Sequence, residues 1–251
     1  MTAVTLAGKV CVVVGASSGI GRATAEAAAA AGAAVVLAAR RIELCAAIAA
    51  GIRERGGRAV ALPVDVTAAG DHERLAERAT AEFGGIDLAF INAGSIIGVS
   101  SVVETTAERF RAQADVNLFA VQRALATLVP CIAARGGGAI VVNTARGGLR
   151  GTPGLGTYAA TKAGAIMLSL VAAQEAAKDK VRINVIAPGY IGTESWWRMM
   201  GEGGKALTAR VPLGRIGEAA EVADVVVWLL SDAARYLVGT VVPVDGGMTA
   251  G

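Results

Sequence analysis

Tyr158 and Lys162 stand four residues apart in Tyr158-Ala159-Ala160-Thr161-Lys162, so on a helix they share one face. A phenol with a pKa of about 10 is a poor base at neutral pH, and an adjacent ammonium favours its phenolate. Such a pair suits proton exchange with a hydroxyl or carbonyl oxygen. Alone, it is equally a tyrosine and a lysine that happen to meet on a helix surface.

A second constellation is Gly15-Ala16-Ser17-Ser18-Gly19-Ile20-Gly21, placed between the apolar run Val10–Val14 and an Ala-rich stretch that begins at Arg22. Glycines there let the chain turn tightly, and they let backbone N–H groups at a helix N-terminus approach a pyrophosphate. The next apolar run ends Leu37-Ala38-Ala39-Arg40-Arg41. An acid at this place would bond the adenosine ribose of NAD. Here Ala39 stands instead, followed by two guanidiniums that offer paired donors to a phosphate. The pattern favours NADP(H) over NAD(H).

These residues must be held by alternating strands and helices. Short β-branched runs at Val10–Val14, Ala34–Ala38, Ala59–Val64, Leu88–Ile91, Ala139–Asn143, Arg182–Ile186 and Thr240–Val244 read as seven strands. Their near-continuous apolar content suits a parallel sheet covered on both faces. The intervening stretches Gly19–Ala31, Ile42–Arg55, His72–Phe83, Ala107–Ala134, Tyr158–Ala177 and Ala219–Ser231 read as helices, which gives βαβ units in an α/β protein. No linker or repeat divides residues 1–251, so one dinucleotide-binding, catalytic domain is expected. The least regular stretch, Pro188–Pro212, carries Trp196, Trp197, Met199 and Met200 and then Gly201, Gly203 and Gly204, and it reads as a mobile substrate lid.

With 54% hydrophobic residues the chain can build a large core, and its 24 Lys+Arg against 21 Asp+Glu are scattered, which argues against nucleic acid as a partner. Cys11, Cys45 and Cys131 are odd in number, far apart and flanked by apolar residues, so they read as buried thiols in a reducing cytoplasm. His72, the sole histidine, begins a predicted surface helix without a matching ligand cluster, and no metal is expected. Met1–Lys9 lacks the pattern of a secretory signal. Apolar stretches are broken by Gly or charge short of the roughly 18 to 20 residues a span requires, so no membrane partner is expected.

Gly15-x-x-x-Gly19-x-Gly21, Asn92-Ala93-Gly94, Tyr158-x-x-x-Lys162 and Pro188-Gly189, in this order over essentially the whole chain, closely resemble the classical short-chain dehydrogenase/reductase family. The resemblance implies a single Rossmann domain, a doubly wound seven-stranded parallel sheet in the order 3-2-1-4-5-6-7. It implies hydride transfer between a nicotinamide and a small secondary alcohol or ketone, with Tyr158 as acid/base and Lys162 as its electrostatic partner. By the same likeness Gly15, Ser17, Ser18, Gly19, Ile20 and Gly21 hold the dinucleotide, with Arg40 and Arg41 at its adenosine end. Asp65 and Val66 flank the adenine, and Asn92, Ala93 and Gly94 support the central strand beside the cofactor. Tyr158, Lys162, Pro188, Gly189 and Ile191 join that site, and Thr193 contacts the nicotinamide carboxamide. Asn117 is the helix Asn whose backbone carbonyl holds a water of a proton relay; alone, it is a polar residue kinking a long helix. Assembly as a homotetramer through Ala107–Ala134 and Tyr158–Ala177 is also implied.

One family feature is missing. A serine normally stands thirteen residues before the tyrosine, and counting back from Tyr158 reaches Ala145. Three accounts stay open: an engineered substitution, a hydroxyl supplied by Thr144 or Thr152 through a shifted loop, or a natural protein of weak or altered chemistry. For substrate contact the sequence offers Arg146, Trp196, Trp197 and Met200, which suit an uncharged, alicyclic or aromatic ketone. A 3-oxoacyl thioester, with Arg198, Lys205 and Arg210 as a basic rim, and an NADP-binding protein without catalysis are the alternatives. Halohydrin dehalogenation on the same fold is disfavoured by the glycine-rich loop and by Lys162.

Overall fold

The computed structural model describes residues 4–250. Val10–Val14 (β1), Ala34–Ala39 (β2), Arg58–Pro63 (β3), Leu88–Ile91 (β4), Gly138–Asn143 (β5), Val181–Pro188 (β6) and Val241–Val244 (β7) form one parallel sheet in the order β3-β2-β1-β4-β5-β6-β7. Successive side chains point to opposite faces: Val10, Val12 and Val14 enter one core, and Cys11 and Val13 the other. Gly19–Ala30 (α1), Ile42–Glu54 (α2) and Ala219–Leu230 (α9) cover one face through Ala25, Ala28, Ile48 and Val226. Asp71–Phe83 (α3), Ala120–Ala134 (α5) and Gly156–Ala176 (α6) cover the other through Leu75, Leu128 and Ala173. A sheet buried on both faces is why its strands read as unbroken apolar runs.

The expected elements form within two residues of their bounds, with one instructive exception. The helix over Ala107–Ala134 contains a π turn, Asp115–Phe119, between α4 (Ala107–Ala114) and α5. Such widened turns concentrate at functional sites. By length and composition alone, Ala107–Ala134 is apolar enough to cross a membrane, which the broken apolar pattern did not lead us to expect. Its Val121, Ala124, Leu125, Leu128 and Ile132 are packed into the core beside the sheet.

Three further expectations are corrected. The Pro188–Pro212 segment is not irregular: Glu194–Met200 (α7), Gly203–Ala206 (α8) and a 3-10 turn at Leu207–Arg210 follow β6. His72 is buried at 1% exposure rather than on the surface, since α3 turns His72, Leu75, Ala76 and Ala79 inward together. Cys11 and Cys45 are buried, and burial pushes their thiols up to about 12 and about 11, whereas Cys131 is half-buried. Among the described residues, no group of three His, Cys, Asp or Glu side chains is placed to hold a metal ion.

Candidate active site

The chain leaves β1 towards β2 but leaves β4 towards β5 on the other side, so the loops after these strands diverge and open a crevice at their carboxyl ends. The glycine turn lies beneath it, and its packing explains the residue type. A Cβ on Gly21 would sit 2.1 Å from the Gly15 carbonyl oxygen, and one on Gly15 (φ +87°) would sit 2.8 Å from the Ala93 nitrogen. No side chain fits at either point. The Asn92 Nδ2 donates to the Gly15 carbonyl at 2.9 Å, and Asn143 Nδ2 donates to Asn92 Oδ1 at 2.7 Å, which ties the turn to β4 and β5.

A cavity of about 870 Å³ runs from Ala39, Arg40 and Arg41 past Asp65 and Val66 to Gly94. At its outer end Arg41 Nη2 donates to Ser17 Oγ at 2.8 Å and to Ser18 Oγ at 2.7 Å, so a guanidinium and two hydroxyls converge beside the glycine turn. Asp65 Oδ1 accepts bonds from the Thr67 N–H (3.0 Å) and hydroxyl (2.7 Å), and these hold its carboxyl below the usual range. A second cavity, of about 440 Å³, is lined by Ile20, Ala145, Tyr158, Lys162, Pro188, Gly189, Ile191, Thr193 and Trp196. Both cavities are lined by Ser18, Ala93, Gly94, Ser95 and Ser195, which makes one continuous groove.

At the inner end Lys162 is 3% exposed, and its Nζ donates to the Asn143 backbone carbonyl at 3.2 Å. Its ammonium lies 5.9 Å from the centre of the Tyr158 ring. Burial pulls Lys162 down to about 8 and pushes the Tyr158 phenol up to about 12. The lowering expected from the ammonium together with the positive ring of a bound nicotinamide is not supplied by the chain's own groups alone. Loss of water around the ring outweighs a lysine at this distance, and phenolate formation needs a further positive charge in the groove.

Asn117 lies in the π turn, fully buried. Its Oδ1 accepts from the Ser95 N–H and its Nδ2 donates to the Ser95 carbonyl, both at 2.9 Å. Ala145 lies just past β5 and brings a methyl group to the wall that also carries Tyr158. Neither threonine replaces the absent hydroxyl. Thr144 donates its proton to the Ile186 carbonyl at 2.8 Å, and Thr152 Oγ1 is engaged by Arg146 Nη2 at 3.0 Å.

Of the expected substrate residues, Trp196 lines the reaction cavity, whereas Arg146, Trp197 and Met200 do not. Arg146 is drawn to Thr152 and lies 5.9 Å over the Tyr190 ring. The helical phase of α7 instead turns Ser195, Trp196 and Met199 towards the cavity, at i, i+1 and i+4. Sequence reasoning also passed over Ser95 and Ile96, which follow Asn92-Ala93-Gly94 directly and line the same cavity, and over Asn143. Adjacency to a recognised motif was the available signal for the first two.

These residues fit a nicotinamide dinucleotide. The groove crosses the switch point, a glycine turn with no room for side chains faces it, and the Asn143 Oδ1 beside the reaction cavity is buried without a partner. A model of the family described as Enoyl-(Acyl carrier protein) reductase matches residues 15–249. Cyclohexanol dehydrogenase of Acinetobacter sp. (strain SE19) is 38% identical over 243 residues, 96% of this chain and 95% of its own. A 3-oxoacyl-[acyl-carrier-protein] reductase of Thermotoga maritima is 33% identical, covering 97% and 98%. The solved structure of 7 alpha-hydroxysteroid dehydrogenase complexed with NADH and 7-oxo glycochenodeoxycholic acid superposes with a TM-score of 0.94 at 27% identity over 98% of both chains. The chain belongs to the classical short-chain dehydrogenase/reductase family, oxidoreductases of CH–OH and C=O groups that use a nicotinamide cofactor.

Proposed function

We propose that the protein interconverts an alicyclic secondary alcohol and its ketone with NADP(H). The observation that carries this reading is the continuous groove joining the Arg41, Ser17 and Ser18 cluster to a cavity walled by Tyr158, Ile96, Trp196 and Met199. Two guanidiniums without an acid at Ala39 suit a 2′-phosphate, and the Ile96, Trp196 and Met199 side chains on the cavity wall suit an uncharged ring. The relatives named for cyclohexanol and for a 7-oxo steroid act on, or hold, compounds of that shape.

When bound, the nicotinamide supplies or accepts the hydride. Tyr158 gives its proton to the carbonyl oxygen in reduction and takes it back in oxidation. Lys162, with its Nζ on the Asn143 carbonyl, stabilises the phenolate, and by the family likeness the Asn117 backbone carbonyl would hold a water through which the proton exchanges with solvent. Ala145 gives the substrate oxygen no hydrogen bond, and a missing donor of that kind costs on the order of 3 kcal/mol of barrier, about a hundredfold in rate.

The test is to titrate NADPH and NADH against this chain and Ala145→Ser while following NADPH oxidation with a ketone panel. Tighter NADPH binding and a roughly hundredfold faster Ser form would support the reading. Tight binding with no turnover in either form would favour a protein that binds the dinucleotide without catalysis. A second reading, reduction of a 3-oxoacyl thioester, draws on the Thermotoga relative and on the exposed cations Arg198, Lys205 and Arg210 of the Pro188–Pro212 segment. A 3-oxoacyl thioester in the panel separates the two. The proposal includes a homotetramer packed through Ala107–Ala134 and Tyr158–Ala177, where Phe110, Phe119, Met167 and Val171 are exposed, with light scattering as its measure.

A further inference from the structure

Ser95, Ile96 and Ile97 form the partition of the groove: Ser95 lines both cavities, Ile96 the reaction cavity and Ile97 the dinucleotide cavity. This segment is neither helix nor strand, so its backbone N–H and C=O groups need partners from elsewhere. They find them on the helix that crosses behind. Gln113, in the last turn of α4, is fully buried, whereas Glu108, Phe110, Arg111 and Ala112 of the same helix are exposed. Its Nε2 donates to the Ser95 carbonyl at 2.6 Å and its Oε1 accepts from the Ile97 N–H at 2.8 Å. One planar carboxamide thus spans the segment on either side of Ile96. Asn117, four residues on, grips the N–H and C=O of Ser95 itself.

The two amides do not duplicate each other. Asn117 fixes Ser95 alone, while Gln113 fixes the distance from Ser95 to Ile97 and so the direction in which Ile96 projects. An apolar residue in place of Gln113 would leave the Ile97 N–H without its partner and the Ser95 carbonyl with one bond fewer, so the segment would relax towards other donors or water. Gln113 lines neither cavity.

We propose that Gln113 is a positioning residue for substrate specificity, holding the Ser95–Ile97 wall against which the ketone is placed, although it touches no substrate. The proposal rests on the reading of the Tyr158 cavity as the site of the ketone. It differs from a merely structural role in requiring one donor and one acceptor at this position, and that requirement can be titrated. In Gln113→Glu a protonated carboxyl carries the same donor and acceptor as the native amide, whereas the carboxylate loses the donor and sets a charge against the Ser95 carbonyl. Burial raises such a carboxyl above its usual value and brings the change into a workable pH range.

Ketone KM and kcat would be measured from about pH 5.5 to 8.5 for the native chain, Gln113→Glu and Gln113→Leu, each also carrying Ala145→Ser for signal. Gln113→Glu should match the native KM at low pH and rise roughly tenfold as its carboxyl ionises, with kcat changed less than about threefold. Gln113→Leu should show the raised KM at every pH. Amide hydrogen exchange of Ile97 provides a reading independent of turnover and should be at least about tenfold faster in Gln113→Leu. A KM within about twofold of native in both variants across the range, or unchanged Ile97 exchange, overturns the proposal. Absence of turnover in every form, with NADPH still bound, would instead sink the functional reading, and the exchange rate would still decide whether Gln113 holds the wall.

Discussion

Lys162 shows how one buried side chain couples the chemistry to stability. Its ammonium lies among the β5 end, Gly94 and Asn117, and lack of water there holds it at about 8, against about 10.4 for an unfolded lysine. A lysine depressed in the folded state favours unfolding wherever it is charged when folded. The cost is present in full below about pH 8, shrinks as pH rises towards about 10.4, and is absent above that. Relative to Lys162→Met, the native chain should therefore gain stability across this window, by on the order of 3 kcal/mol in total. Urea midpoints of both proteins at pH 7, 8.5 and 10 measure it. A flat difference would show that the ammonium is not buried as described. Catalysis runs the other way, because the charge that destabilises the fold is the one that supports the phenolate, so kcat should fall as pH rises through Lys162's own titration.

At the scale of elements, the Pro188–Pro212 segment gains its order from its stem. The Gly192 N–H donates to the Gly217 carbonyl at 2.8 Å and the Gly217 N–H to the Tyr190 carbonyl at 3.0 Å, and Thr193 Oγ1 caps α7 by accepting from the Trp196 N–H at 3.2 Å. With the helix start pinned, its phase is set and only one of the adjacent tryptophans can face the cavity. Trp196→Ala should raise the ketone KM about tenfold, while Trp197→Ala, whose ring packs edge-on against Trp196 and over Gly204, should change it less than about threefold and lower Tm by several degrees. Equal effects on KM would mean that the segment lies in another phase. The sequence could be read for the strands and most helices because both-face burial and a 3.6-residue period leave direct traces. It could not be read for this segment, because Gly201, Gly203 and Gly204 look like breakers. Gly201 (φ +53°) in fact ends α7, and Gly204 sits where a Cβ would come within 2.9 Å of Trp196. The π turn was hidden for a similar reason: one added residue in a helix buried along one side hardly disturbs its apolar spacing. The glycine turn, Tyr158, Lys162 and Asn117 were legible as a motif set, whereas Gln113 and Ser95 act through backbone bonds that no spacing rule announces.

At the scale of the molecule, the groove takes its outer end from the turns after β1, β2 and β3 and its inner end, beside Tyr158, from those after β4, β5 and β6. A ligand lying along it binds both halves of the sheet at once, so its binding should be read in the unfolding of the whole chain. A ligand present at about 100 times its Kd stabilises by about 2.7 kcal/mol, which for a domain of this size raises Tm by roughly 5 to 10 °C. If the protein prefers NADP(H) as proposed, NADPH should give a larger shift than NADH at equal concentration, because the Arg41 guanidinium, which now meets the Ser17 and Ser18 hydroxyls, would offer charge-assisted donors to the added phosphate. Arg41→Ala should weaken NADPH binding by roughly tenfold to a hundredfold and remove about 1.3 to 2.3 kcal/mol of that stabilisation, while the NADH shift stays within about a degree of native. Thermal scans of both proteins with each dinucleotide measure this. If Arg41→Ala reduces both shifts equally, Arg41 acts by holding Ser17 and Ser18 in the glycine turn rather than by meeting a phosphate, and the proposed reading of Arg41 as the 2′-phosphate donor fails.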